Sequence, residues 1–161
     1  MPDYDWAVPP GGEGKITVRV KTAGKQGRLR DTVRVYSNDP TIKEMRLTIS
    51  AFVKSPIYYS PASLLIKGKR GKPIERAVEL RAGLDRPLEL TPVYFNLENQ
   101  LTYTIEEIEK GRRFRVLFKS KPDASSAFHG ILNLKTNYPE KPQITLPIRG
   151  RIKEELGGKR N

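Results

Sequence analysis

The sequence contains no cysteine and a single histidine, His129. The absence of cysteine excludes disulfides, thiolate catalysis and cysteine-based zinc sites. One histidine cannot build a typical zinc site, and the sequence offers it neither a nucleophile nor an orienting partner for general-base catalysis. We therefore expect a protein that is not an enzyme and has no metal or cofactor, and we interpret His129 as a structural or exposed residue.

Long apolar segments are also absent. No run of apolar residues approaches the roughly 18 needed to cross a membrane, so no membrane span is expected. The segment Met1–Trp6 lacks the basic start and apolar stretch of a signal peptide. Thirteen prolines and thirteen glycines are spread along the chain, and 37% of its residues are hydrophobic. This composition predicts short strands joined by many turns.

Positive charge is in excess, with 30 Lys and Arg against 18 Asp and Glu and a formal net charge of +12. Such an excess favours polyanions such as nucleic acid or acidic envelope polymers. One basic cluster, Lys67–Lys72, lies between two predicted strands, where we expect an exposed hairpin tip. A second basic cluster begins in the turn at Lys110 and continues along the predicted strand Phe114–Lys119. The candidate residues for binding a polyanion or another partner are Lys67, Lys69, Arg70, Lys72, Arg112 and Arg113. The alternative is a solvated basic surface, because acidic residues are interspersed throughout.

Apolar and polar residues alternate in many segments. In Met45–Val53 every second residue is apolar, which is typical of a half-buried strand. The segments that follow this pattern are Lys15–Lys21, Thr32–Tyr36, Met45–Val53, Leu64–Ile66, Ala77–Ala82, Leu88–Phe95, Leu101–Glu107, Phe114–Lys119, Gly130–Lys135 and Ile144–Ile152. We therefore predict an all-β fold made of antiparallel strands.

An internal repeat organises these strands. Val33–Pro40 and Met45–Lys54 match Leu132–Pro139 and Ile144–Lys153 at an offset of 99 residues without a gap, and each copy contains Asn-x-Pro. Because an Asn side chain can bond its own backbone two residues on, we expect an Asx turn at this corner between the last two strands of each copy. A period near 100 residues is the size of an immunoglobulin-like sandwich.

The two copies are unequal in length. The prediction is a C-terminal part of an immunoglobulin-like domain over residues 1–54, a complete seven-strand antiparallel sandwich over 55–153, and a tail over 154–161. The first copy lacks the strands that would cover its apolar face. That face could pack on the second domain or on Trp6 and its neighbours, self-associate with another copy, or leave the segment poorly ordered.

The turn motifs carry a resemblance to a known family. Val8–Ile16, with Pro-Pro-Gly-Gly, and Tyr36–Pro40 resemble the C-terminal half of the bacterial immunoglobulin-like family called domain of unknown function 1573. That family is similar to the ASH and major-sperm-protein type sandwiches. Thr136–Pro139 with Ile148–Ile152 resembles a second, more divergent copy. The chain lacks the cysteine-containing loop of typical members. The resemblance implies export to the bacterial cell envelope or secretion, as for those members.

Two functional hypotheses remain open at this level. The first is an interaction or scaffold module that binds a protein through loops or by adding a partner's strand to a sheet edge. The second is a basic β-domain that binds nucleic acid or an acidic envelope polymer. Dependence of binding on salt would separate them, because phosphate contacts weaken steeply as salt rises.

Overall fold

The computed structural model describes residues 3–153, and the chain divides into two compact units at Val53 and Lys54. The predicted tail 154–161 lies outside the described residues. The first unit contains β1 (Asp3–Tyr4), β2 (Ile16–Thr17), β3 (Gly27–Tyr36) and β4 (Glu44–Val53). β1 pairs with β2, and β3 pairs with β4, both antiparallel. The predicted strand Lys15–Lys21 is therefore much shorter than its alternating pattern indicated.

The second unit consists of eight strands. They are β5 (Ile57–Ser60), β6 (Leu64–Lys69), β7 (Glu75–Ala82), β8 (Leu90–Phe95), β9 (Leu101–Glu109), β10 (Arg113–Ser120), β11 (Ala127–Thr136) and β12 (Gln143–Lys153). They form two sheets, in the orders β5-β7-β10-β9 and β6-β12-β11-β8. The described residues contain no helix, which confirms the all-β prediction, and so none of them forms a helix that could cross a membrane.

Two details of the second unit differ from the sequence prediction. It has eight strands instead of seven, because the segment after the junction forms β5 in one sheet and β6 in the other. In addition, β6 runs parallel to β12, so the unit is not purely antiparallel. Both features depend on pairing partners far away in sequence, which alternation within one strand cannot reveal.

One hydrophobic core serves both sheets of the second unit, as expected for a β-sandwich. The four residues predicted for this core, Leu132, Leu134, Leu146 and Ile148, are at most 1% exposed. Other fully buried side chains come from both sheets and their connections, among them Ile57, Ile66, Leu80, Leu88, Leu101, Phe118, Tyr138 and Ile144. Alternate residues of β6, β7, β10, β11 and β12 face inward for most of their length, and the remainder face solvent.

The β3–β4 and β11–β12 hairpins have the same register. Adding 99 to both members of each pair from Arg28↔Phe52 to Tyr36↔Glu44 gives a pair of the second hairpin; Val33↔Leu47, for example, becomes Leu132↔Leu146. The turns between the strands also agree. Ser37 Oγ donates to Ile42 O at 2.8 Å, and Thr136 Oγ1 donates to Lys141 O at 2.6 Å, again 99 residues later.

The corner is stabilised by a hydroxyl rather than by the predicted Asn turn. The backbone N–H of Asp39 donates to Ser37 Oγ, and that of Tyr138 donates to Thr136 Oγ1. Asn137 instead bridges to a distant loop, accepting from Glu89 N and donating to Pro87 O, each at 3.0 Å. The residue before Asn thus stabilises the turn in both units, because its side chain reaches both ends of the loop. In the first unit Asp39 Oδ1 also accepts from the backbone N–H groups of Thr41 and Ile42, at 2.7 and 3.1 Å.

The first unit has no buried side chain among its described residues. Its apolar face is formed by Leu29, Val33, Val35, Met45, Leu47 and Ile49, all of them exposed or partly exposed. Trp6, predicted to help cover such a face, is 88% exposed and packs at 5.1 Å against the ring of Tyr4. The Trp6 ring itself leaves the face uncovered, but Tyr4 and Ile16 line one depression together with Val33 and Val35, so packing of this segment on β3 stays a prediction.

Candidate functional site

The β6-β12-β11-β8 sheet contains no acidic residue in any of its four strands. Its exposed Lys and Arg side chains are Lys67 and Lys69 on β6, Lys135 on β11, and Arg149, Arg151 and Lys153 on β12. Five of these six lie on two adjacent strands. We call Lys67, Lys69, Arg149, Arg151 and Lys153 the cationic face.

The parallel pairing of β6 with β12 creates this surface. Lys67 lies beside Arg151, and Lys69 lies beside Lys153. Paired residues on neighbouring strands share one side of the sheet, and the strands are about 4.8 Å apart. The alternation Arg149-x-Arg151-x-Lys153 then aligns the β12 cations along the same side, because Gly150 and Ile152 between them are buried. Two adjacent strands thereby place five positive charges on one side of the sheet.

No carboxylate of residues 3–153 forms an ion pair with these five side chains. Like charges on adjacent strands repel, by roughly 0.6 kcal/mol for a pair about 7 Å apart in water. The repulsion is small for each pair, but all the pairwise contributions among the five cations have the same sign. The negative charges of a bound polyanion would offset this repulsion. The surface is therefore electrostatically suited to an anionic ligand.

His129 lies beside the cationic face, on the neighbouring strand β11. It lies opposite Arg149 in the β11–β12 pairing, and of the two alternatives left open by the sequence, a structural or an exposed residue, the structure shows the exposed one. A shallow depression lined by Ala127, Phe128, His129, Arg149, Gly150 and Arg151 runs along this part of the sheet. Among the residues that the structure describes, no cluster of three or more His, Cys, Asp or Glu side chains could hold a metal ion.

Gly150 leaves room for a neighbouring aromatic ring at the centre of this depression. A Cβ atom at this position would lie 2.2 Å from ring atoms of Phe128, which packs against the core from the directly opposite position on β11. Only glycine accommodates that ring without a shift. Gly150 therefore lets Phe128 pack across β12 between Arg149 and Arg151.

The sequence-predicted basic cluster is divided by the fold. Lys67 and Lys69 join the cationic face, but the segment is not a hairpin tip, because β6 and β7 belong to different sheets. Arg70 is anchored through its backbone N–H to Lys153 O at 2.9 Å and through Nη2 to Ala124 O at 3.4 Å. Lys72 is exposed in the connection that crosses from one sheet to the other.

The second predicted cluster lies on the opposite sheet, where charges are balanced. Arg112 donates to Leu84 O at 2.9 Å and lies 3.8 Å from Asp85, so it stabilises a loop. Arg113 is opposite Arg81 on one side and Glu109 on the other. Its neighbours on β10 form cross-strand ion pairs, Arg115 with Glu79 and Lys119 with Glu75, at 3.4 and 3.2 Å.

Sequence reasoning thus missed Arg149, Arg151 and Lys153. Their signal was present, because three cations at alternate positions of one strand must share a face. The sequence could not show that β6 pairs with β12, or that the four strands of this sheet contain no acidic residue. Comparison of the chain with models of known protein families and with curated proteins finds no match.

Proposed function

We propose that this chain is a non-catalytic binding module that takes an anionic polymer on the cationic face. The observation that carries the proposal is the collection of five cations on a four-stranded sheet without a single acidic residue. Counterion release from a polyanion supplies binding energy without base- or sugar-specific contacts. Of the two hypotheses drawn from the sequence, the polyanion-binding domain is therefore the one that the geometry supports better.

The fold that presents this surface is, in this proposal, an immunoglobulin-like sandwich. An immunoglobulin constant-type domain has strands A, B, E and D in one sheet and C, F and G in the other. The orders β5-β7-β10-β9 and β6-β12-β11-β8 correspond to A-B-E-D and A′-G-F-C. The shared register and turn bonds of the two hairpins support the further proposal that the first unit is a partial copy of the second.

The test compares two double variants with the same loss of charge. Lys67→Ser/Arg151→Ser removes a neighbouring pair from the cationic face, and Arg115→Ser/Lys119→Ser removes two cations from the balanced sheet. Heparin affinity is measured as a function of salt concentration. We expect the first variant to reduce the slope of log K against log salt by about 1.5, near 0.7–0.9 for each lost phosphate-type contact. Equal slopes for the two variants would contradict the proposal.

A second candidate function is supported by the first unit. Six apolar side chains on one face of β3 and β4 remain unburied, and among the described strands the β3–β4 sheet has only two members. A sheet of this kind binds a further strand or a second copy of itself. Light scattering over a hundredfold range of concentration tests this: Leu47→Lys should abolish any concentration-dependent mass, and a wild-type mass that is monomeric throughout rules out self-association.

A further inference from the structure

The β3–β4 hairpin has a second face, and its chemistry differs from that of the apolar one. Residues paired across the hairpin share a face, so Arg28, Arg30, Arg34 and Arg46 all lie on the side opposite to Val33 and Leu47. All four arginines are exposed. Two large aromatic side chains accompany them: Tyr36 is 67% exposed and Phe52 is 59% exposed.

The order of these residues along the hairpin is regular. Phe52 is opposite Arg28 near one end, Arg34 is directly opposite Arg46, and Tyr36 lies at the other end. From Arg28 to Tyr36 the face is about 27 Å long, at about 3.4 Å per residue. Its middle consists of Thr32 and Thr48, also paired with each other and exposed. The face is therefore an extended platform with aromatic rings at both ends and guanidinium groups between them.

Charge on this face is largely uncompensated. Its only carboxylate is Glu44, which pairs with Arg46 at 3.0 Å. None of Arg28, Arg30 and Arg34 forms an ion pair with a carboxylate of residues 3–153. Directly opposed like charges such as Arg34 and Arg46 destabilise a bare sheet. An anion bound between them would remove that repulsion.

The matching register of the second hairpin supports the arginine side as the outward one. The equivalents of Val33 and Leu47 in the second unit, Leu132 and Leu146, are buried in the core. The equivalent of Arg46, Thr145, is exposed. A cover on the apolar face of β3–β4 would therefore lie on the side opposite to the four arginines.

We propose that this face binds single-stranded nucleic acid. Arginine offers bidentate hydrogen bonds to phosphate and a planar surface that stacks on bases, and the charged residues that supply this face with positive charge are all arginine. Exposed aromatic rings bind unpaired bases by stacking, which a duplex or a sulfated polysaccharide cannot exploit. The residues of this face are distinct from those of the cationic face of the second unit. Either proposal can therefore be refuted without affecting the other.

The experiment measures binding of a fluorescein-labelled 20-nucleotide oligothymidylate by anisotropy at several salt concentrations. Tyr36→Leu/Phe52→Leu removes both rings and leaves every charge. We expect its affinity to fall at least about fivefold, the lower limit for loss of one stacked base. Arg34→Ser/Arg46→Ser should lower the slope of log K against log salt by about 1.4, or 0.7 for each contact to a single strand.

Arg81→Ser/Arg113→Ser is the matched control, because these two exposed arginines are also directly opposed, but they lie on the balanced sheet of the second unit. It should bind the oligonucleotide like the wild type. In addition, amide chemical-shift changes in the wild-type protein should concentrate on Arg28–Tyr36 and Glu44–Phe52, a readout that does not depend on any variant folding.

Three outcomes would overturn the proposal. If the aromatic variant binds as tightly as the wild type while the arginine variant loses affinity, the face is a general polyanion surface. If heparin of equal charge displaces the oligonucleotide equally well from the wild type and from the aromatic variant, the rings do not contribute and the face is again a general polyanion surface. If all variants match the control and shifts fall elsewhere, the face does not bind nucleic acid. Loss of heparin binding only in the Lys67→Ser/Arg151→Ser variant bears on the cationic face alone.

Discussion

Replacing Thr136 by Val tests the hydroxyl that fixes the corner between β11 and β12. Thr136 is 7% exposed, and its Oγ1 donates to Lys141 O at 2.6 Å and accepts from Tyr138 N at 3.1 Å. Valine has nearly the same shape but cannot form either bond, and the N–H of the buried Tyr138 loses its partner. Leaving such a group unsatisfied costs about 1–3 kcal/mol, and we expect a destabilisation in that range.

The two units supply an internal comparison for this prediction. Ser37 forms the same pair of bonds in the first unit, but it is exposed, so water can replace the hydroxyl. Ser37→Ala should therefore cost less than about 0.5 kcal/mol. Thr145→Val is the matched control for Thr136→Val, since Thr145 lies on β12 with its side chain in solvent.

The measurement is urea unfolding followed through the amide signals of each unit, because a signal averaged over two units does not give one free energy of unfolding. Signals from β11 and β12 report on Thr136→Val, and signals from β3 and β4 report on Ser37→Ala. If Thr136→Val costs no more than Thr145→Val, the hydroxyl does not stabilise the corner. The assignment of the turn to the residue before Asn would then be refuted.

Three further changes test the core and its surroundings. Leu132→Ala should destabilise the second unit by about 2–5 kcal/mol, because Leu132 is fully buried between the sheets; a thermal or urea transition unchanged from wild type would contradict this. Gly150→Ala places a methyl group against the ring of Phe128 and should cost about 1–3 kcal/mol, whereas Gly150→Ala combined with Phe128→Leu should cost less than the two changes added together. Burial raises the pKa of the Tyr138 phenol, whose O–H donates to Arg86 O. A raised pKa means that the folded state favours the neutral phenol, so this contribution is present below pH 10 and is lost as pH rises through the folded-state pKa. The stability advantage of wild type over Tyr138→Phe, measured by urea unfolding between pH 7 and 11, should shrink above pH 10, and a constant difference would show that the phenol is not preferentially neutral in the folded protein.

Local pattern determined the secondary structure of this chain. Met45, Leu47, Ile49, Leu132, Leu134, Leu146 and Ile148 alternate with polar residues, and a side chain on a strand must point to the face opposite its neighbour. Most of the strands and the four predicted core residues followed from that rule. The same rule placed Arg149, Arg151 and Lys153 on one face, although the sequence prediction did not use it there.

Pairing between distant strands decided the candidate sites. Lys67 and Lys69 are separated from Arg151 and Lys153 by more than 80 residues, and only the parallel β6–β12 register brings them together. The same kind of information removed Arg113 from consideration, because β10 lies between strands that carry Glu79, Glu106 and Glu109. Charge compensation is a property of neighbours in space. A run of basic residues in the sequence therefore indicates a site only after the sheet order shows which acidic residues face it.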